Sequence, residues 1–230
     1  VVPNLPVGTV GIRRGCLTAA AGELEILVQG EGGHGARPHQ AVDAVWLAAR
    51  VITELQQAIA RRLDALQPVV ISFGKVEGGR AFNVIADQVR LLGTVRCLDL
   101  QQHALLPAWI DETVQGICGS GGGTAVVNYR CIAPPVHNDP QLTALLERCA
   151  VGCLGRDKVL PVEQPSLGAE DFAELLRDVP GMMVRLGVAG PEGCAPLHNG
   201  AFALEEDALG VGITVLTATL LAWLAENAPA

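Results

Sequence analysis

The sequence predicts an α/β protein in two parts. Residues 18–133 read as a ferredoxin-like β-α-β-β-α-β arrangement, with a lead-in at residues 1–17 and an α/β portion at residues 134–230. Two stretches alternate apolar and polar residues, as half-buried strands do. Two others are helical by spacing and length, and the order in which these pieces follow one another is that of a split βαβ unit.

Val1 to Gly15 is an entry segment punctuated by Pro and Gly. Glu23 to Gln29 alternates, with Leu24, Ile26 and Val28 on one face and Glu23, Glu25 and Gln29 on the other. Glu31 to His39 is a Gly/His loop. Gln40 to Arg62 predicts an amphipathic helix whose stripe is Val42, Val45, Trp46, Ala49, Ile52, Leu55 and Ile59. Val69 to Phe73 is a short apolar strand. Val84 to Asp99 alternates again, Val89, Leu91, Val95 and Cys97 against Arg90, Thr94 and Arg96. Leu100 to Cys118 is helical until Gly119 to Gly123 ends it. Ala125 to Ile132 is the fourth strand.

Beyond Pro134 and Pro135 the expected pieces are a helix at Pro140 to Gly152, a short helix at Ala169 to Arg177, a strand at Met182 to Val188 and a long buried helix at Glu205 to Glu226. That portion has too few strands for its own sheet, although a helix so apolar wants a sheet to lie on.

Half of the 230 residues are hydrophobic and 17% are charged, which excludes disorder. Sixteen Lys and Arg against 24 Asp and Glu give a net charge of −8, so no general attraction to nucleic acid or anionic membranes is expected. Aromatics are 3%, which leaves little for base stacking. Seven scattered cysteines without a C-x-x-C pair predict buried free thiols in a cytoplasmic protein. The start, Val1 to Arg14, lacks the apolar run of a signal peptide. Ala208 to Ala225 is long enough to span a membrane, but Glu205, Glu206 and Asp207 lead into it, and a core helix is the expectation.

Candidate chemistry is sparse. His34 and His39 sit in G-G-H-G-A-R-P-H, a loop whose glycines allow close approach of a ligand, though a plain connector is an equal reading. His198, in P-L-H-N-G-A-F, lies after a strand, where ligands bind in α/β folds. Glu170 and Asp171, in G-A-E-D-F, suit either a helix start or acids that orient a metal-bound histidine. His103 and His137 read as solvent-exposed. No H-x-x-x-H, H-E-x-x-H, serine elbow or phosphate loop occurs.

Several ordered motifs carry a resemblance. They are P-N-L-P-V-G-T-V-G at Pro3 to Gly11, G-G-H-G-A-R-P-H at Gly32 to His39, F-N-V-I-A-D at Phe82 to Asp87, G-T-V-R at Gly93 to Arg96, G-A-E-D-F at Gly168 to Phe172 and P-L-H-N-G-A-F at Pro196 to Phe202. With these the chain resembles the zinc aminoacylase and carboxypeptidase superfamily, in the amidohydrolase branch of hippurate, N-acyl-amino-acid and auxin-conjugate hydrolases.

The resemblance implies a fold and a site. Residues 18–133 would be a lid and dimerisation domain, residues 1–17 and 134–230 parts of an α/β metallohydrolase catalytic domain whose front half the chain lacks. A further metal ligand would fall just before Val1. Two divalent ions (Zn, Mn, Co or Ni) are implied per complete site, with His198 as the one ligand carried here. Weak metal binding and no turnover are therefore expected of these residues alone. By the same likeness His34 reaches into the partner's active site to stabilise an oxyanion, Asn83 assists it, Arg96 holds the substrate carboxylate, and Glu170 lies close to the metals. Ala86 departs from the proline usual there, and only a local change in the strand entry is expected. The implied activity is amide hydrolysis of N-acyl amino acids by a cytoplasmic homodimer without nucleic-acid or membrane partners. The alternative is a non-catalytic lid or binding module.

Overall fold

The computed structural model describes residues 1–228. In chain order the strands and helices are β1 (Val2–Pro6), β2 (Val10–Ile12), β3 (Gly15–Cys16), β4 (Ala20–Gln29), β5 (Gly33–His34), α1 (Ala44–Arg62), β6 (Val69–Gly78), β7 (Val84–Ile85), β8 (Gln88–Cys97) and α2 (Leu100–Ser120). They continue with β9 (Thr124–Ala133), β10 (His137–Asn138), α3 (Pro140–Leu154), β11 (Val159–Pro161), α4 (Phe172–Leu175), β12 (Arg185–Ala189) and α5 (Asp207–Glu226). Two compact units result. One is Thr18–Pro135 with Leu167–Asp171; the other is Val1–Leu17, Val136–Ser166 and the chain from Phe172 onward.

The Thr18–Pro135 unit is built on an antiparallel sheet in the order β6-β8-β4-β9. That order, with α1 and α2 as the two crossovers, is the ferredoxin-like topology. The alternation of β4 explains its place: Leu24, Ile26 and Val28 are fully buried, while Glu23 and Glu25 point to the opposite face. In β8, Val89, Leu91, Val95 and Cys97 point into the same core. On the other face Arg90 pairs with Glu25 and Glu77, and Arg130 pairs with Glu23. The Arg90 guanidinium holds the Glu25 carboxyl below its ordinary range by a direct hydrogen bond.

Two aspartates start the helices. Asp43 accepts from the backbone N–H of Val45 at 2.9 Å and of Trp46 at 3.2 Å, and Asp99 accepts from Gln102 N–H at 2.7 Å. Helix α1 therefore begins at Ala44 rather than Gln40, after a 3₁₀ turn at Pro38–Gln40. Its buried stripe is Ala44, Leu47, Ala48, Val51 and Leu55. The expected stripe is displaced around the helix: Val45 and Trp46 are each 50% exposed, and the Arg50 guanidinium sits 5.0 Å over the Trp46 ring.

His103 also departs from expectation. It is half-buried on α2, with Nε2 3.1 Å from the Tyr129 hydroxyl. Burial pushes the Tyr129 phenol up to about 12, with nearby Cys131 and Cys97 adding and Arg96 opposing.

The other unit has a sheet of its own, contrary to the sequence expectation. Four short strands lie in the order β1-β12-β2-β11, and β3 pairs with β10. The entry segment supplies β1, β2 and β3, whose partners all lie in the last hundred residues or so. Asn138 is fully buried and ties this unit together. Its amide donates to the carbonyls of Arg13 at 2.8 Å and Met183 at 2.9 Å, and its Oδ1 accepts from Met183 N–H at 2.8 Å. Helix α4 is a single turn rather than Ala169 to Arg177, and β12 runs from Arg185 rather than Met182.

Helix α5 packs on α3 and β12. Only Ala208 and Val215 are buried in it, so it is not the buried helix expected. Leu209, Ile213, Leu216, Leu220, Leu221, Trp223 and Leu224 are exposed. By length and composition it could cross a membrane, with a mean hydropathy of 2.0 and 11% of its apolar window buried. The seven cysteines are all free; Cys97 and Cys118 are buried, four are half-buried and Cys153 is exposed.

Candidate functional site

The Thr18–Pro135 unit carries a cleft of about 350 Å³ lined by Gly33, His34, Arg80, Asn83, Ala86 and Asp87, among others. A two-residue ladder builds it. In β5 and β7, Gly33 pairs with Ile85 and His34 with Val84. The backbone N–H of Gly35 then donates to the Asn83 carbonyl at 2.9 Å. A Cβ on Gly35 would stand 2.9 Å from that oxygen, so only glycine lets the two loops meet this closely. At Gly30 a Cβ would strike the Val42 carbonyl, so the chain can turn from β4 toward α1 only without a side chain there.

His34 is exposed, and its Nδ1 accepts from the backbone N–H of Ala36 at 3.1 Å. An acceptor Nδ1 leaves the proton of the neutral ring on Nε2, which is therefore a donor facing away from the loop. An N–H donor of this kind suits an oxyanion.

Arg96 is not part of this cleft. It lies at the far end of β8, opposite Val70 on one side and Ala21 on the other, and is half-buried. The cleft ends at Asp87, the residue before β8. At about 3.3 Å per residue, the eight steps from Gln88 to Arg96 span about 26 Å. Within one protomer, then, the structure brings His34 and Asn83 together and holds Arg96 away from both. Glu170 is half-buried in the Leu167–Asp171 stretch, where Gly168 accepts from Ala19 N–H at 3.1 Å.

His198 belongs to the other unit. It is exposed and occupies the third position of a turn closed by Asn199 N–H on the Pro196 carbonyl at 3.2 Å. Its φ is 66°, and among the described residues no other non-glycine has a positive φ. A left-handed conformation costs a non-glycine residue roughly 1 kcal/mol or more, and such strain gathers at functional positions. Asn199 holds the turn from the other side, its Oδ1 accepting from Ala201 N–H at 2.9 Å. No group of three or more His, Cys, Asp or Glu that could hold a metal ion occurs among the described residues.

Sequence reasoning missed Arg80 and Asp87 as cleft residues. Their signal was position: both lie on the connection from β6 to β8, after Gly78 and Gly79 and at the end of F-N-V-I-A-D, whose Val84 and Ile85 pair with the His34 strand.

Residues 13–118 match the peptidase dimerisation domain of the M20 family. A Synechocystis sp. protein described as a probable hydrolase is 50% identical over 219 residues, covering 94% of this chain and 56% of that protein. An N-acetyldiaminopimelate deacetylase of Geobacillus sp. is 36% identical over 227 residues, 99% of this chain and 59% of the deacetylase. A dinuclear metal-binding peptidase of the M20 family from Bacillus subtilis superposes with a TM-score of 0.80 at 29% identity, over 97% of this chain and 55% of that one. The chain thus spans a little over half the length of the proteins it matches. Residues 13–118 thus match the peptidase dimerisation domain of the M20 family, and nearly the whole chain is similar to a deacetylase and to an M20-family peptidase.

Proposed function

We propose that this chain is the lid-bearing part of a metal-dependent amidohydrolase that hydrolyses N-acyl amino acids as a cytoplasmic homodimer. One observation carries the reading: His34, with its Nδ1 engaged and its Nε2 free to donate, shares a cleft with Asn83. Such donors stabilise the charge that develops on a carbonyl oxygen when an amide is attacked. Arg96, a planar fork on a rigid strand, would hold the substrate carboxylate.

The distance along β8 gives this reading a definite form. One substrate a few ångströms across cannot touch both His34, whose cleft ends at Asp87, and Arg96 of the same protomer, because β8 runs about 26 Å from Gln88 to Arg96. The two residues serve one substrate only if they come from different subunits. That requirement agrees with a dimerisation domain over residues 13–118.

The described residues do not by themselves fit a metal centre, since a site usually needs at least three protein ligands and none is assembled among them. His198 would contribute one ligand, with Glu170 near the ions, to two divalent metals of the Zn, Mn, Co or Ni class; the other ligands would lie outside these residues. The same absence favours a second reading, a lid or binding module without catalysis of its own.

The test is hydrolysis of N-acetyl amino acids by the metal-loaded protein in its complete form. His34→Ala should lower kcat by on the order of a hundredfold while the protein remains dimeric. An unchanged kcat would overturn the role of His34. Absence of any metal-dependent turnover by the complete protein would favour the second reading.

A further inference from the structure

We propose that Arg80 selects the substrate at the His34–Asn83 cleft, taking a second anionic group on the N-acyl amino acid beyond its α-carboxylate. The proposal rests on the functional reading above.

Among the described residues, Arg80 is the one Arg or Lys that lines this cleft together with His34 and Asn83. It follows Gly78 and Gly79, the latter at a φ of 77°, so the turn after β6 aims the following residue at the mouth of the cleft. The side chain is exposed and has no ion pair and no side-chain hydrogen bond among the described residues. Arg13, Arg14, Arg50, Arg90 and Arg130 are each engaged by a carbonyl or a carboxylate, and of the arginines left without such a partner only Arg80 lines this cleft among the described residues. Asp87 is the carboxylate lining the same cleft, and it makes no ion pair with Arg80. An unneutralised guanidinium three residues from Asn83 presents a fork matched to a carboxylate.

Arg96 cannot serve the same group from the same protomer, because it stands at the opposite end of β8. If Arg96 of one subunit holds the α-carboxylate, Arg80 arrives with His34 from the other and meets a different part of the substrate. That part is either the amino-acid side chain or the far end of the acyl group. The shared chemistry is a second carboxylate. Val84, half-exposed, lines the same cleft as Arg80 and gives that contact an apolar side.

The experiment uses the complete metal-loaded protein and two matched substrate pairs. N-acetylglutamate against N-acetylglutamine tests the side chain; N-succinylalanine against N-butanoylalanine tests the acyl end. The expected result is a preference of about tenfold in kcat/KM for the acid in one of the pairs, set by one partly exposed charge-assisted contact. Arg80→Gln should abolish that preference and leave the neutral substrates within about twofold, whereas Arg80→Lys should restore part of it. A structural role for Arg80 would lower acid and neutral substrates alike. The proposal is overturned if wild type shows no acid preference in either pair, or if the preference survives Arg80→Gln. Lack of turnover of all four substrates by wild type sinks the functional reading itself and this proposal with it.

Discussion

The phase of helix α1 offers a sharp test of the packing argument. Leu47 is fully buried in the core between the helices and the sheet, while Val45, two residues away, is 50% exposed. Truncating a buried leucine to alanine costs about 2.5–5 kcal/mol, growing with the cavity that remains. The Leu47 methyls lie against the backbone at Gly121 and Gly123, where even a Cβ would collide with them. These glycines follow the C-terminal end of α2 and enter β9, so the backbone there is fixed at both ends and cannot collapse into the gap. Leu47→Ala should therefore fall in the middle of the range or above it, at about 4 kcal/mol. Val45→Ala removes two half-solvated methyls and gains helix propensity, so its effect should lie within about 0.5 kcal/mol of zero. Urea unfolding followed by circular dichroism measures both, read as midpoint shifts at constant m. If Val45→Ala costs as much as Leu47→Ala, the helix faces the other way and the account of this core is wrong.

Other consequences are as direct. Asn138→Ala removes three buried hydrogen bonds and leaves the Met183 N–H without a partner, so unfolding of its unit should become easier by about 3 kcal/mol, measurable through Trp223 fluorescence. Tyr129 is the only tyrosine, so absorbance at 295 nm should titrate near 12 in the folded protein and near the ordinary value of 10 in urea. The folded state then holds the phenolic proton longer than the unfolded one. Stability should fall as pH rises from about 10 toward 12, and Tyr129→Phe should flatten that limb. A single midpoint near 10 in both states would contradict the burial of the phenol. The purified 230-residue chain should show no metal-dependent hydrolysis of N-acetyl amino acids, because it assembles no three-ligand cluster among its described residues. Turnover in that assay would refute the ligand argument.

The elements that could be read from sequence were those whose two faces differ in chemistry. In β4 and β8 each inward residue is apolar and most outward ones are polar or charged, so the period of two survives in the sequence and fixes the sheet face. Helix α1 was harder. Ala and Val surround it so evenly that two stripes satisfy the same spacing, and only the Asp43 cap fixes where counting begins. Strands β1 and β2 were hidden by Pro3, Pro6 and Gly8 and by partners distant in the chain, which no local pattern reports. Helix α5 is apolar on every side, so its sequence could not say which side would be covered.

The candidate site divides in the same way. His34, Asn83 and Arg96 were legible as motifs, but motifs carry no distances. That His34 and Asn83 share a cleft, and that Arg96 stands a strand's length away, required the ladder of β5 with β7 and the full run of β8. The left-handed turn at His198 was equally invisible, because P-L-H-N reads as an ordinary turn until φ is known.

The claim that His34 and Arg96 meet only across two subunits is best tested by mixing inactive dimers. If the proposed activity holds, His34→Ala and Arg96→Ala homodimers of the complete metal-loaded protein should each lose most of it. After subunit exchange, half of the dimers are mixed on statistical grounds. Each mixed dimer holds one site with both residues intact and one with neither. Activity should return to about a quarter of wild type, since each intact site is worth as much as before. If exchange is complete and no activity returns, the two residues act within one protomer, and the arrangement derived from the length of β8 is wrong.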